Sequence, residues 1–431
     1  FADVVAPAVE LATRGFPVDQ RLAESLRVMG RGFSRWPSSR DVYWPADRAP
    51  EPGERLLQPA LGRLLAELGA AERGATRSEG LKAVHDAFYS GPVARRIVEF
   101  VSEHGGFLDE RDLAEFVADV ERTPSREFGG WQVHVTPSWT QGAIVTEALG
   151  ILGGFDLASL QHNGDQYLHL VAEALGLAFS DRESYFADPA FAEFSTAELQ
   201  SEKRLARLRA LVTDRAQPPM ATRDLPVQRL RSTTSVVVTD AAGNAFATSP
   251  SDTLDGAPII PELGIICSPR GVQSRLDAEH PNSLQPGKRP CVTPAAAIAL
   301  RPGAGGEADV WTLACPGGDV IVQALVQAVL NVVVAGMTLQ EAVEAARIAP
   351  FNAPSAFHPH PPADNVVYAE ARIAPEVRES LASRGHHVVT WPDYEFDAGS
   401  VQMSMVARAP DGGRVVLAAA DPRRTAYGIA R

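Results

Sequence analysis

Thr233-Thr-Ser-Val-Val-Val-Thr-Asp-Ala-Ala-Gly-Asn244 is the stretch from which the rest of the chain is read. Ser235 to Thr239 is rich in β-branched residues, which favour strands. Gly243-Asn244 supplies a turn and Ala245 to Thr248 a return strand, so the run predicts a hairpin opened by paired threonines. A threonine at that place gains a chemical use if the Ser232–Thr233 bond is cut, because Thr233 then carries a hydroxyl nucleophile and a free α-amine base on one residue. Upstream, residues 200–232 are rich in Arg, Ala and Pro, with Pro218-Pro219 and Pro226. They read as a mobile tether ending at Arg231-Ser232.

Downstream the signals are those of sheet mixed with helix. Val401 to Arg408, Asp411-Gly412-Gly413 and Arg414 to Ala418 predict a second hairpin. Val310 to Ala314, then Cys315-Pro316-Gly317-Gly318-Asp319, then an apolar run from about Val320 to Val334 predict a strand, a tight turn and a helix. Thr338 with Glu341 forms a capping box for a further helix reaching about Ile348. Upstream, helical spacing dominates to about residue 120, in Val4, Val5, Ala8, Val9 and Ala12 and again from Leu56 to Leu68. Trp36 to Gly53 between them reads as a Pro-rich connecting loop. Residues 131–136 alternate as a strand does, with His134 in a structural place, and helices are expected over Gly142–Leu152 and Asp165–Phe186. The polar end of the latter, Ser180-Asp-Arg-Glu-Ser-Tyr185, reads as a solvated turn.

Composition narrows the function classes. The 431 residues are 45% hydrophobic with a mean hydropathy of −0.08, ordinary for a globular protein of two lobes or one large layered domain. A formal charge of −13 argues against a nucleic-acid partner, since no continuous basic path would neutralise phosphates. No apolar run approaches the ~18 residues of a membrane span. Cys267, Cys291 and Cys315 are odd in number and widely spaced, which favours buried thiols over a disulfide framework or zinc site. Gly303-Ala-Gly-Gly306 lacks the Lys-Ser/Thr of a phosphate-binding loop. The start at Phe1, without Met or a signal-peptide profile, looks internal, and the cytoplasm is only slightly favoured over the periplasm or secretion.

Two segments carry further chemistry. Consecutive backbone amides at Pro316-Gly317-Gly318, opening a helix, can face an oxyanion, and glycines there let a substrate approach the backbone. A plain tight turn is the alternative. Pro286-Gly287-Lys288-Arg289-Pro290, followed by Thr293-Pro294, is a rigid basic corner that could lid a pocket or cradle a carboxylate, or could simply be an exposed turn.

Taken in order, Thr-Thr-x5-Asp-x2-Gly-Asn, Pro-Gly-Lys-Arg-Pro, Pro-Gly-Gly and Asp421-Pro422-Arg423 resemble the γ-glutamyltranspeptidase family of N-terminal-nucleophile hydrolases. His85-Asp-Ala-Phe-Tyr-Ser-Gly91, Gly105-Gly-Phe-Leu-Asp-Glu-Arg-Asp-Leu113, Val120-Glu-Arg-Thr-Pro124 and Ala178-Phe-Ser-Asp-Arg-Glu-Ser-Tyr185 are similar to its large-subunit motifs. The resemblance implies an α/β (α+β) fold, a four-layer αββα sandwich with a helical lobe, made as an inactive precursor. Residues 1–232 would be the large-subunit portion and residues 233–431 a small subunit of 199 residues carrying the nucleophile. The two would remain together as a heterodimer, with a dimer of heterodimers as the larger assembly. The family's usual N-terminal third, which supplies core strands and an arginine for the donor carboxylate, is expected to lie outside these residues.

The same resemblance implies Thr233 as nucleophile with its own amine as base, Gly317 and Gly318 as the oxyanion site, and Thr234 with Ser251 or Asp252 orienting the nucleophile. Thr293 matches the small hydroxyl residues that follow the Lys-Arg-Pro corner. The reaction is acyl transfer from a small-molecule donor to water or an amine, with no metal and no cofactor. The family's Asn-Asn-x-Met-Asp-Asp loop, whose acid reads a γ-glutamyl α-ammonium, is replaced by Ser268-Pro269-Arg270-Gly271-Val272-Gln273. That loop has no acid, and Arg270 and Gln273 in it suggest a donor without the free amine, of glutaryl type or an oxidised biosynthetic intermediate; the alternative is that Arg270 points to solvent. Two other readings stay open. One is hydrolysis of a carbon–carbon bond beside a carbonyl, as in family members of alkylproline antibiotic pathways. The other is a silent scaffold, since Ser235 stands where the family usually has histidine.

Overall fold

The computed structural model describes residues 1–33, 35–74, 76–217, 233–252, 254, 256–303, 307–361, 366–409 and 412–430. The expected tether over 218–232, with Ser232, the glycine run at 304–306 and part of the turn at 411 therefore lie outside the described residues. Contacts divide the chain into two compact units, Phe1–Val120 with Thr253–Pro269, and Glu121–Asp252 with Arg270–Arg431.

The first unit is helical, as its periodicity predicts, with helices at Ala2–Arg14, Gln20–Phe33, Pro59–Ala70, Arg77–Tyr89 and Pro92–Glu103. Leu64, Leu68, Val84, Val93 and Ile97 close one core. Trp36 to Gly53 is not the plain loop expected. Pro37–Tyr43 is a helix started by Pro at its first turn. Its Ser39 and Tyr43 are buried, and its flanking Trp44 donates its indole N–H to Leu26 O at 2.9 Å. Leu56 belongs to a short strand pair with Phe16 rather than to the helix that follows.

The second unit holds the sheet. In chain order its main elements are β1 (Ser125–Phe128), β2 (Trp131–Val135), α1 (Gly142–Leu152), α2 (Asp165–Tyr185), α3 (Glu202–Arg209), β3 (Val236–Thr239), β4 (Ala245–Thr248), β5 (Ala296–Pro302), β6 (Ala308–Ala314), α4 (Val320–Val333), α5 (Leu339–Glu344), β7 (Ile348–Phe351), β8 (Val366–Glu370), α6 (Pro375–Ser383), β9 (His387–Trp391), β10 (Gln402–Arg408) and β11 (Arg414–Ala420). Six strands form one antiparallel sheet in the order β11-β10-β6-β5-β2-β1. A smaller sheet, β7-β8-β9, stands beside it. Helices α1 and α4 pack on each other and on the main sheet and are buried along nearly their whole length. Apolar residues dominate both, so neither has a face to give to water, and their few polar side chains, Thr146 and Glu147 in α1 and Gln323, Gln327 and Asn331 in α4, are buried with them. The β3-β4 hairpin packs on β6 and β10, and its other face leaves Val236, Val238 and Phe246 exposed.

Local chemistry explains the hairpin. Asp240 closes its turn by accepting from the Asn244 amide at 2.8 Å and the Asn244 side chain at 2.7 Å, while Gly243 takes φ +89°, where a Cβ would be strained. Both predicted hairpins, the strand before Pro-Gly-Gly and the long helices are found close to their expected bounds.

In this second unit three expectations fail, each through a distant contact. The helix capped by Thr338 and Glu341 ends at Glu344 and does not reach Ile348, because Ile348 starts β7, pairs with β8 and exchanges backbone hydrogen bonds with the Gln327 side chain at 2.9 and 3.0 Å. Residues 202–209 are helical, since Leu205 and Leu208 at helical spacing bury against α1 beneath an arginine-rich exterior. Ser180 to Tyr185 is the last turn of α2, not a solvated turn, and Asp181 and Arg182 are buried.

Candidate active site

The hairpin brings Thr233 to the end of the main sheet. Thr234 donates its backbone N–H to Pro250 O at 3.0 Å, which extends the hairpin pairing past its strands and sets Thr233 opposite the residue that follows Pro250. The Thr233 and Ser251 hydroxyl oxygens are 2.7 Å apart. Thr233 is half-buried, whereas the side chain of Thr234 is exposed, so Thr234 contributes its backbone. Two residues on, the Ser235 hydroxyl donates to Gln402 Oε1 at the start of β10.

Gln402 connects this corner to the glycine turn. It pairs in register with Ala314, the last residue of β6, after which Cys315-Pro316-Gly317-Gly318 runs into α4. Its amide also donates to the Ser400 hydroxyl at 2.9 Å, beside Gly399. Gly399 is needed there: a Cβ on it would lie 2.8 Å from Cys315 Sγ, and one on Gly317 would lie 3.4 Å from Gly399 Cα. Gly317 and Gly318 take φ of +150° and +64°. Among the described residues neither of their N–H groups has an acceptor. Two amides without partners at the start of an apolar helix are a ready place for a negative oxygen.

The turn is clamped from behind. Asp319, at the start of α4, accepts from Arg182 at 2.7 Å, from Gln141 at 2.7 Å and from the Ala356 amide at 3.1 Å. Arg182 also pairs with Glu183 at 2.6 Å, and Arg275 joins Glu183 from another side. Burial would push the Glu183 carboxyl up, but Arg182, His280 and Arg275 outweigh it and hold it at about 2. A second buried lattice holds the opposite flank. Asp421 accepts from the Val401 amide at 3.0 Å, from Arg347 at 2.6 Å and from Arg423 at 3.0 Å, and Arg423 reaches Glu370 at 2.7 Å. The Asp421-Pro422-Arg423 motif thus fixes the backbone next to Gly399 and Ser400.

Arg270 lies in a short 3-10 turn, Arg270–Gln273. Its guanidinium donates to the carbonyl and hydroxyl oxygens of Ser251, to Gln273 Oε1 at 2.9 Å, and pairs with Asp252 at 3.4 Å. The sequence reading has this arginine awaiting an anion. In the structure its charge is already engaged, and it positions the serine that faces Thr233. Gln273 is buried with its carbonyl oxygen taken by Arg270. Thr293 is fully buried and its hydroxyl has no partner among the described residues, so it is sealed from solvent. The Lys288-Arg289 corner is no open cradle: Arg289 binds Glu121 at 2.6 Å and Asp188 at 3.0 Å and lies over the Trp139 ring. Burial pushes the Cys291 thiol up to about 12 and that of Cys315 up to about 11, which leaves neither as a nucleophile at neutral pH.

The residues missed from sequence are Asp319, Glu183, Arg182, Gln402 and Ser400. Arg182 and Glu183 lie in the Ala178–Tyr185 motif, and their signal is a charged pair in phase with Leu175 and Ala178 on the buried side of α2.

A family model described as Gamma-glutamyltranspeptidase matches residues 1–430. The chain belongs to the gamma-glutamyltranspeptidase family. It is 32% identical over 417 residues to the Acylase ACY 1 proenzyme of Pseudomonas sp. (strain SE83), covering 95% of this chain and 68% of that one. It is 29% identical over 440 residues to the Glutathione hydrolase proenzyme of Escherichia coli (strain K12), covering 97% and 70%. Among solved structures, LmbA2991HD superposes with a TM-score of 0.87 at 30% identity over 100% of this chain and 78% of that one. Cephalosporin acylase from Bacillus halodurans gives 0.80 at 23% identity over 100% and 74%, a likeness of fold. The mixed helix and sheet architecture is that of the N-terminal-nucleophile hydrolases, as the order of motifs implied.

Proposed function

We propose that this chain is a self-processing N-terminal-threonine hydrolase or acyltransferase that takes a glutaryl-like acyl donor. The observation that carries the reading is the 2.7 Å approach of Thr233 and Ser251, at the end of the sheet from which the Gly317 and Gly318 amides emerge without an acceptor among the described residues. In the first step the Thr233 hydroxyl adds to the carbonyl of residue 232 and the acyl group moves from nitrogen to oxygen. That shift breaks the C–N bond and frees the Thr233 amine, and water then hydrolyses the ester, releasing the carboxylate of residue 232 and restoring the Thr233 hydroxyl. In turnover that amine takes the hydroxyl proton, Thr233 Oγ adds to the donor carbonyl, and the oxyanion rests against the Gly317 and Gly318 amides. Each such donor contributes about 3–4 kcal/mol to the transition state. Collapse expels the leaving amine, which takes the proton, and water or an acceptor amine then frees the acyl group.

The donor class follows from charge. An α-ammonium beside Ser251 would meet the Arg270 guanidinium, and Asp252, the nearby acid, is already paired with it. A glutaryl group has no ammonium to repel. A relative named as an acylase agrees with this preference. Kinetics with γ-glutamyl-p-nitroanilide beside glutaryl-p-nitroanilide test it: the glutaryl compound should have the higher kcat/KM, and the reverse order would end the assignment of donor.

A further inference from the structure

His169, Glu173 and His386 meet inside the second unit, and none of them belongs to the site described above. His169 and Glu173 are four residues apart on one face of α2, and His386 immediately precedes β9. One ligand atom from each lies within 4.8 Å of the others, and all three residues are buried. His169 Nδ1 and His386 Nε2 are 2.9 Å apart, and His386 Nε2 is 4.0 Å from Glu173 Oε1. Three ligands held at about 2.0–2.1 Å around one zinc ion stand about 3.3 Å from each other, and small rotations of these side chains reach that spacing.

Two further features belong to a metal centre. His169 Nε2 faces the Thr213 carbonyl at 2.8 Å, and a carbonyl only accepts, so the ring proton sits on Nε2 and the Nδ1 lone pair points inward. A backbone carbonyl fixing the outer nitrogen of a ligating imidazole is the usual support of such a site. Glu173 is held likewise, accepting from the Gln217 backbone N–H at 3.1 and 3.3 Å. Its carboxylate is 2% exposed and has no Lys or Arg within salt-bridge distance among the described residues, and buried carboxylates are ordinarily paired or metal-bound.

We propose that His169, Glu173 and His386 bind one divalent transition-metal ion of the zinc class. Two imidazoles and a carboxylate select zinc over magnesium or calcium. The place indicates a fastening role. Thr213 and Gln217, which hold two of the ligands, belong to a segment also pinned to the α6 end by Ala216 N–H on Arg384 O at 2.9 Å and by Arg215 on Ser383 O at 2.6 Å. The ion would tie this segment, just ahead of residues 218–232, to α2 and to the start of β9, whether or not the chain is cut.

The test uses the whole protein, purified without chelator from zinc-supplemented medium. Metal analysis should find about one zinc per chain, and a cobalt-substituted sample should show a visible ligand-field band and a first shell of imidazole nitrogens. Affinity for added zinc should fall at least about tenfold in His386→Gln and His169→Asn and stay unchanged in Cys267→Ser. Should either histidine variant fail to fold, the cobalt shell of the unaltered protein decides. The proposal is overturned by folded protein that retains less than about a tenth of an equivalent and shows no cobalt band. It is equally overturned by a metal shell with sulfur in place of imidazole, or by full binding in both histidine variants.

Discussion

Arg182 grips the carboxylate of Asp319 at 2.7 Å, one residue beyond the left-handed Gly318. The pair spans 137 positions in sequence and is nearly closed to solvent. It therefore sets where the two glycine amides point. Replacing Arg182 with Met should destabilise the protein by about 3–5 kcal/mol, because two carboxylates lose their buried partner. Urea unfolding measures this, and a loss under 1 kcal/mol would show that the clamp is dispensable.

In the proposed chemistry, cutting and turnover share one atom. Thr233→Ala should give a single uncut band on denaturing electrophoresis and no acyl transfer, whereas Thr233→Ser should still be processed and retain measurable activity. An uncut yet active preparation, established by intact mass, contradicts the proposed chemistry. A single uncut band from both the unaltered chain and Thr233→Ala would instead indicate a silent scaffold.

The serine beside Thr233 can be separated from the arginine behind it. Ser251→Ala should lower kcat about tenfold with little change in KM, the cost of one hydrogen bond made to the attacking oxygen. Arg270→Gln should shift the ratio of γ-glutamyl to glutaryl kcat/KM about tenfold toward γ-glutamyl, since the repelling charge is gone. Equal losses on both substrates would confine Arg270 to holding Ser251.

Acid stability should report Glu183. Its carboxyl is held at about 2 against an ordinary value of 4.5, so the folded state binds its proton less readily than the unfolded chain does. The stabilisation is complete above about pH 4.5 and is lost as pH falls toward 2, a contribution of about 3 kcal/mol. In thermal melts followed by circular dichroism, Glu183→Gln should be less stable at pH 7 and show a shallower loss between pH 4.5 and 2. An acid limb of unchanged slope would remove Glu183 from the explanation.

What sequence reveals here divides by distance along the chain. The β3-β4 hairpin, α4 and the glycine turn are written in adjacent residues, in β-branched runs, a mainly apolar helix and Pro-Gly-Gly. The clamp is not, because Arg182 looks solvated until Asp319 is brought to it. The same holds for Ile348, whose neighbours read as helix until β8 offers a ladder, and for Leu205 and Leu208, hidden among arginines. Arg270 was legible as a residue of the site but not in its allegiance, which only the position of Ser251 and Asp252 decides.

Strands β2 and β5 lie on opposite sides of Thr233 in the chain yet share one hydrogen-bonded ladder, from Gln132 against Leu300 to Val135 against Ala297. Scission at that threonine would leave two polypeptides woven into a common fabric, inseparable without ripping the central sheet. Such a maturation would have its order of events imposed: collapse first, severance afterwards. Halves synthesised apart would each face the task of completing a sheet whose middle belongs to the other.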